Sequence, residues 1–177
     1  MKRPMKRFYT ADLHFNHVNV MKHCERPFEN VEQMNEEIIR RWNSRVHKND
    51  EIYVLGDIAW VTSWDRLTPF TSRLNGKIHL IKGNHDTMFV KGDMTKSPFV
   101  WIKDIAEIKD KANGEEYRVV LCHFPMLSWN ARMHGSLHLY GHVHNSPMDF
   151  VPKNAFNVGV DVWNFEPVTL EEILNRE

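Results

Sequence analysis

Five short polar clusters follow one another along the chain: Asp12-Leu-His14, Gly56-Asp57, Gly83-Asn84-His85-Asp86, His123 and Gly141-His142-Val-His144. They supply three aspartates, one asparagine and five histidines. Carboxylate and amide oxygens beside imidazole nitrogens suit borderline divalent ions such as Mn²⁺, Fe²⁺, Zn²⁺ or Ni²⁺. With no thiolate, the set is unlike a structural zinc site. It exceeds the needs of one ion and matches those of two. A carboxylate can bridge two such ions. Two ions roughly 3.5–4 Å apart polarise a phosphoryl group and generate a hydroxide nucleophile.

Each cluster falls where an apolar, strand-like run ends. Phe8-Tyr-Thr-Ala leads into Asp12, Ile52-Tyr-Val-Leu into Gly56-Asp57, and Ile78-His-Leu-Ile leads towards Gly83 to Asp86. Val119-Val-Leu-Cys leads into His123, and Leu137-His-Leu-Tyr into Gly141-His142. Ligand sites in α/β sheets form beyond the carboxyl ends of strands. Glycines before Asp57, Asn84 and His142 suit the tight turns that aim side chains inward.

Strands are expected over 8–11, 51–55, 77–81, 100–108, 117–122, 136–140 and 155–162. Asn113-Gly114 marks a hairpin within 104–122. The longest helix should run over 30–47, with Val31, Met34, Ile38, Trp42 and Val46 on one face and Asn30 as its cap. A second helix should end near Leu74, stopped by Asn75-Gly76, with Pro69 opening its main part. Thr169 and Glu172 form a capping box for a last helix over 169–175. The first half alternates strand and helix and the second is strand-rich. This reads as one α/β domain over 1–177, with a basic arm at 1–7.

The chain has 177 residues, of which 42% are hydrophobic, so it can bury one core of ordinary size. Its 23 basic and 23 acidic residues balance, so no global field recruits long nucleic acid or membrane. Lys2, Arg3, Lys6 and Arg7 read as a solvated arm. Eleven histidines favour metal binding. Cys24 and Cys122 lack a C-x-x-C spacing and read as reduced, buried residues of a cytoplasmic protein. No apolar run spans a membrane, and no apolar segment follows the basic start as in a secretory signal.

The ordered pattern D-x-H, G-D, G-N-H-D, H and G-H-x-H, carried by Asp12 through His144, resembles that of the calcineurin-like metallophosphoesterases. Residues 10–57 look like a small bacterial and phage subgroup. The resemblance implies a four-layer αββα sandwich, two packed mixed β-sheets flanked by helices. It implies two divalent transition-metal ions, manganese first, with iron, nickel or zinc as alternatives. Asp12, His14, Asp57 and His144 would hold one ion. Asp57, Asn84, His123 and His142 would hold the other, with Asp57 shared. His85 would protonate the leaving oxygen, and Asp86 would orient His85. The implied reaction is attack of a metal-bridging hydroxide on a small phosphodiester or nucleotide. A nuclease of the same superfamily and a non-catalytic metal-binding scaffold are the alternatives.

Protein phosphatases of this superfamily carry G-D-x-x-D-R-G. Here Gly56-Asp57 is followed by Ile58-Ala59-Trp60, so their phosphate-binding arginine has no counterpart. Arg26 reads as its replacement or as a helix-end salt bridge. His17 reads as the rim of the site or as a packed turn residue. Arg132 and His134 could reach into the cleft or sit in a solvated loop. His79 and His138 read as core or sheet-face histidines, and His23 and His47 as surface. Trp60 and Trp129 follow site loops and could wall a leaving-group pocket.

Overall fold

The computed structural model describes residues 3–87 and 89–176. Lys2 of the basic arm lies outside them. In chain order the elements are β1 (Arg7–Thr10), α1 (Val18–His23), α2 (Val31–Arg45), β2 (Glu51–Leu55), α3 (Trp64–Thr71), β3 (Lys77–Ile81), β4 (Ile102–Lys103), β5 (Ile105–Ala112), β6 (Glu115–Cys122), β7 (Leu137–Tyr140), β8 (Ala155–Asn157) and α4 (Leu170–Leu174). Strands β1 to β4 form one parallel sheet in sequence order. Strands β5 to β8 form a second, mixed sheet, antiparallel only at β5–β6.

The layers follow from alternation along each strand, because successive side chains point to opposite faces. Phe8, Ile52, Val54, Ile78 and Leu80 face outward from the first sheet and pack on Met34, Ile38 and Trp42 of α2 and Leu67 of α3. Tyr9, Tyr53, Leu55 and Ile81 face the other way, against Ala106, Val119, Leu121, Leu137 and Leu139 of the second sheet. The outer face of the second sheet carries a small cluster of Val120, Trp129, Tyr140 and Ala155. Residues 124–136, with one 3-10 turn at Arg132–His134, run from β6 to β7 and place Trp129 in that cluster. This is the two-sheet α/β sandwich that the resemblance implies, with the first sheet all parallel where a mixed one was expected.

The caps act as expected. Asn30 accepts from the Gln33 N–H at 2.8 Å, and Thr169 and Glu172 close a capping box. Three expectations change. The 100–108 run is two strands in different sheets. The chain crosses at Asp104, whose carboxylate pairs with Lys82 Nζ at 2.7 Å. The 155–162 strand stops at Asn157, because Gly159 N–H turns back to Asn157 Oδ1 at 2.8 Å and Val160 joins Ala11 O at 3.0 Å. Pro69 lies in the second half of α3 instead of opening it. Ser63 caps that helix, and buried Trp64, Leu67 and Thr71 hold it through the proline. The short helix α1 has no counterpart among the expected elements.

Candidate metal centre

The loops after β1 and β2 run side by side, extending the parallel ladder. Asp12 N–H donates to Gly56 O at 3.0 Å, and His14 N–H to Asp57 O at 2.9 Å. Two glycines let further loops close in. A Cβ at Gly83 would stand 2.1 Å from Asp57 Oδ1, and one at Gly141 would stand 2.5 Å from Asp12 Oδ2. Close approach is their reason, since neither has a positive φ. Gly56, at φ +90°, is the one that makes a turn. Asp12, His14, Asp57, His142 and His144 themselves hold left-handed backbone, with φ of 58°, 53°, 54°, 73° and 51°.

The side chains then converge. Asp57 Oδ2 lies 3.5 Å from His14 Nε2, 3.6 Å from His123 Nε2 and 3.8 Å from His85 Nε2. His123 Nδ1 is 2.7 Å from Leu55 O, which can only accept, so Nδ1 carries the proton. Burial pushes the His123 pKa down, so the ring is neutral and Nε2 presents a lone pair. That lone pair faces Asn84 Oδ1 at 3.0 Å as well as Asp57 Oδ2. Asn84 Oδ1 also meets His142 Nδ1 at 3.0 Å. His14 Nε2 is buried with no hydrogen-bond partner. Burial, then the Arg26 charge, drives the His14 pKa well below the ordinary histidine range.

Ligand atoms of Asp12, His14 and His144 lie within 4.8 Å of one another, as do those of Asp12, Asp57 and His123. These acidic and imidazole groups could hold metal ions. Asp12 stands in both of these groups, and Asp57 in the second. Burial pushes the Asp12 carboxyl up to about 8; His144 opposes this shift and Asp57 adds to it.

His144 is braced by a residue with no place in the sequence reading. Its Nδ1 lies 2.7 Å from Asp161 Oδ2. Burial disfavours charge on His144, but the Asp161 hydrogen bond leads the opposing effects and raises its pKa to about 10. Arg26 grips Asp161 through Nε and Nη2 at 2.7 and 2.9 Å, and donates to Leu13 O and Asp12 O at 2.9 and 2.6 Å. Its side chain is 0% exposed. Arg26 is therefore not a phosphate contact, because its donors are already engaged inside the fold. The available signal for Asp161 was its place just past the last strand, in Asn157-Val-Gly-Val-Asp161.

Asp86 also differs from expectation. Its carboxylate accepts from the backbone N–H groups of Asp57, Ile58 and Gly83 at 2.9, 3.1 and 2.8 Å, and no described hydrogen bond joins it to the His85 ring. It ties the second and third loops together. Asp86→Ala leaves buried donors unpaired, so unfolding free energy should fall by about 3 kcal/mol or more, read from urea denaturation. A loss under about 1 kcal/mol would contradict this bracing role.

His85 is held through its own backbone, which donates to Asp57 Oδ1 at 2.9 Å, while its side chain is 34% exposed. His17 joins the site at its rim. Its Nδ1 is 3.1 Å from His14 Nδ1, and its ring stacks on Trp60 at 4.3 Å. Burial pushes the His17 pKa down to about 4. Arg132 instead covers the Trp129 ring at 5.6 Å, and no described contact joins Arg132 or His134 to the central cluster. Trp129 is buried and donates to Ser136, so it walls no leaving-group pocket; Trp60 alone stands at the site. His138 is buried with its ring at the Val120 and Phe124 carbonyls, and His79 stacks on Tyr53 with both ring nitrogens buried and without a hydrogen-bond partner. Both cysteines are free and buried.

A two-sheet α/β sandwich thus gathers aspartates and histidines at its strand ends, in groups that could hold metal ions. A model of the calcineurin-like phosphoesterases matches residues 5–100, and the chain belongs to that family, whose members generally bind divalent metals. An uncharacterized protein of Methanocaldococcus jannaschii is 34% identical, covering 96% of this chain and 90% of its own. The gene 66 protein of Mycobacterium phage L5 is 27% identical over 88% of this chain and 86% of its own. A protein of unknown function from Aquifex aeolicus shares the fold, with a TM-score of 0.69 at 19% identity over 94% of this chain and 96% of that one. No helix of the described residues is long and apolar enough to cross a membrane.

Proposed function

We propose that the chain is a dinuclear metal-dependent phosphoesterase acting on a small phosphodiester or nucleotide. The carrying observation is the neutral His123 ring with its Nε2 lone pair aimed at Asp57 Oδ2 and Asn84 Oδ1. Three acceptors around one point repel one another unless a cation sits among them. The orphaned His14 Nε2 beside the same Asp57 oxygen makes the case again for a second position. The residues thus fit the metals that the family binds. Asp12, His14, Asp57 and His144 would hold one ion, and Asp57, Asn84, His123 and His142 the other. When bound, the ions supply Lewis acidity toward the phosphoryl group and activate water.

The chain's own residues do the rest. His85 reaches the centre from its solvent side and is the group placed to protonate the leaving oxygen. Asp57 fixes the His85 backbone, so one residue positions both the ions and the acid. Asn84 and His142 are exposed, and an open site of this kind suits a diester. Free, buried cysteines fit a reducing, cytoplasmic setting.

The test is a screen of Mn²⁺, Ni²⁺, Fe²⁺ and Zn²⁺ against a chromogenic phosphodiester and monoester pair. Metal-stimulated turnover with the diester favoured is expected. A metal-replete chain inactive on both esters overturns the reading. The brace behind His144 gives a second expectation. Asp161→Asn should weaken metal binding about 10- to 100-fold in a chelator competition, because the partner that orients the imidazole is lost. Unchanged affinity would place His144 outside the metal set.

A further inference from the structure

Beside His85 lies a cavity of about 410 Å³ lined by Trp60, Val61, Thr62, Asn84, His85 and Thr87. Its volume lies within the roughly 300–1,000 Å³ of small-molecule sites. Asn84 and His85 belong to the proposed reacting centre, so the cavity opens directly from it. Trp60 forms a wall and is 49% exposed, while the other five tryptophans are buried or half-buried.

That indole is held rather than loose. Its backbone N–H donates to Phe15 O at 2.8 Å. His17 stacks on it at 4.3 Å with 12° between the planes, and the His85 ring stands 4.8 Å away. His17 occupies one indole face, and the half of Trp60 that stays exposed beside the proposed centre is a platform for stacking a planar group. The lining holds no lysine, arginine or carboxylate, so the cavity suits an uncharged group and not a second phosphate. Exposed Thr62 and Thr87, with the Asn84 amide, offer hydroxyl and amide groups to the edge of a planar ring.

We propose that this cavity binds the nucleobase of a leaving nucleoside, stacked on Trp60. The assignment of the leaving side rests on the reading above, in which His85 protonates the leaving oxygen. A base there would belong to the departing alcohol, which makes nucleotide esters the substrate class. Base stacking on an aromatic side chain tolerates different bases, so the subsite would select a nucleoside without choosing among sequences.

Adenosine and ribose titrated into the full chain, followed by calorimetry, test this without turnover or added metal. Adenosine should bind with ribose at least about tenfold weaker, as stacking of one base predicts. Trp60→Ala should weaken adenosine about tenfold, and Trp60→Phe should restore much of it. Equal binding of adenosine and ribose, or full adenosine affinity in Trp60→Ala, overturns the subsite. Because the readout needs no hydrolysis, a chain inactive on every phosphoester still tests it. Loss of the subsite likewise leaves the hydrolytic reading standing.

Discussion

Asp57→Asn should abolish most activity and strip metal from the chain. Asp57 Oδ2 is the atom to which three imidazoles turn, at 3.5, 3.6 and 3.8 Å. The amide removes the negative charge that balances both proposed ions, yet keeps an oxygen to accept from His85 N–H. The fold should therefore survive while the site empties. With several kcal/mol of metal-derived stabilisation gone, kcat/KM should drop at least about a thousandfold. Elemental analysis should find less than one ion per chain. A variant that keeps two ions and full turnover would remove Asp57 from the shared position.

His85→Ala should act in the opposite manner, leaving the ions and losing the chemistry. The His85 ring is not needed by any described side-chain hydrogen bond, and a third of it meets solvent. Its backbone bond to Asp57 survives truncation. Turnover should fall about 10²- to 10⁴-fold, the usual contribution of a placed acid or base. The loss should grow with the pKa of the leaving alcohol, since a poor leaving group depends most on the donated proton. Loss of metal in this variant, or an equal loss across leaving groups, would make His85 a ligand or a structural residue instead.

How much of this was legible beforehand depends on distance along the chain. The strand-end rule finds Asp12, Asp57, Asn84, His123 and His142 because each polar residue follows its own apolar run. The Asn113-Gly114 hairpin is legible for the same local reason. What escaped is non-local. Arg26 and Asp161 are 135 residues apart, and no local pattern announces their pairing. Asp86 sits beside His85 in sequence, but its carboxylate turns to the Asp57 loop, 29 residues away. The change of sheet at Asp104 hid inside one apolar run, since which sheet a strand joins depends on partners elsewhere.

The left-handed backbone at Asp12, His14, Asp57, His142 and His144 has a consequence for how such a chain can change. Asp and His tolerate that conformation better than bulkier residues, at a cost still of order 1 kcal/mol each. Glycine at any of the five would relax the chain. Selection for a firmer fold alone would therefore run against these five side chains. A relative that no longer needed these side chains would gain stability by trading them for glycine.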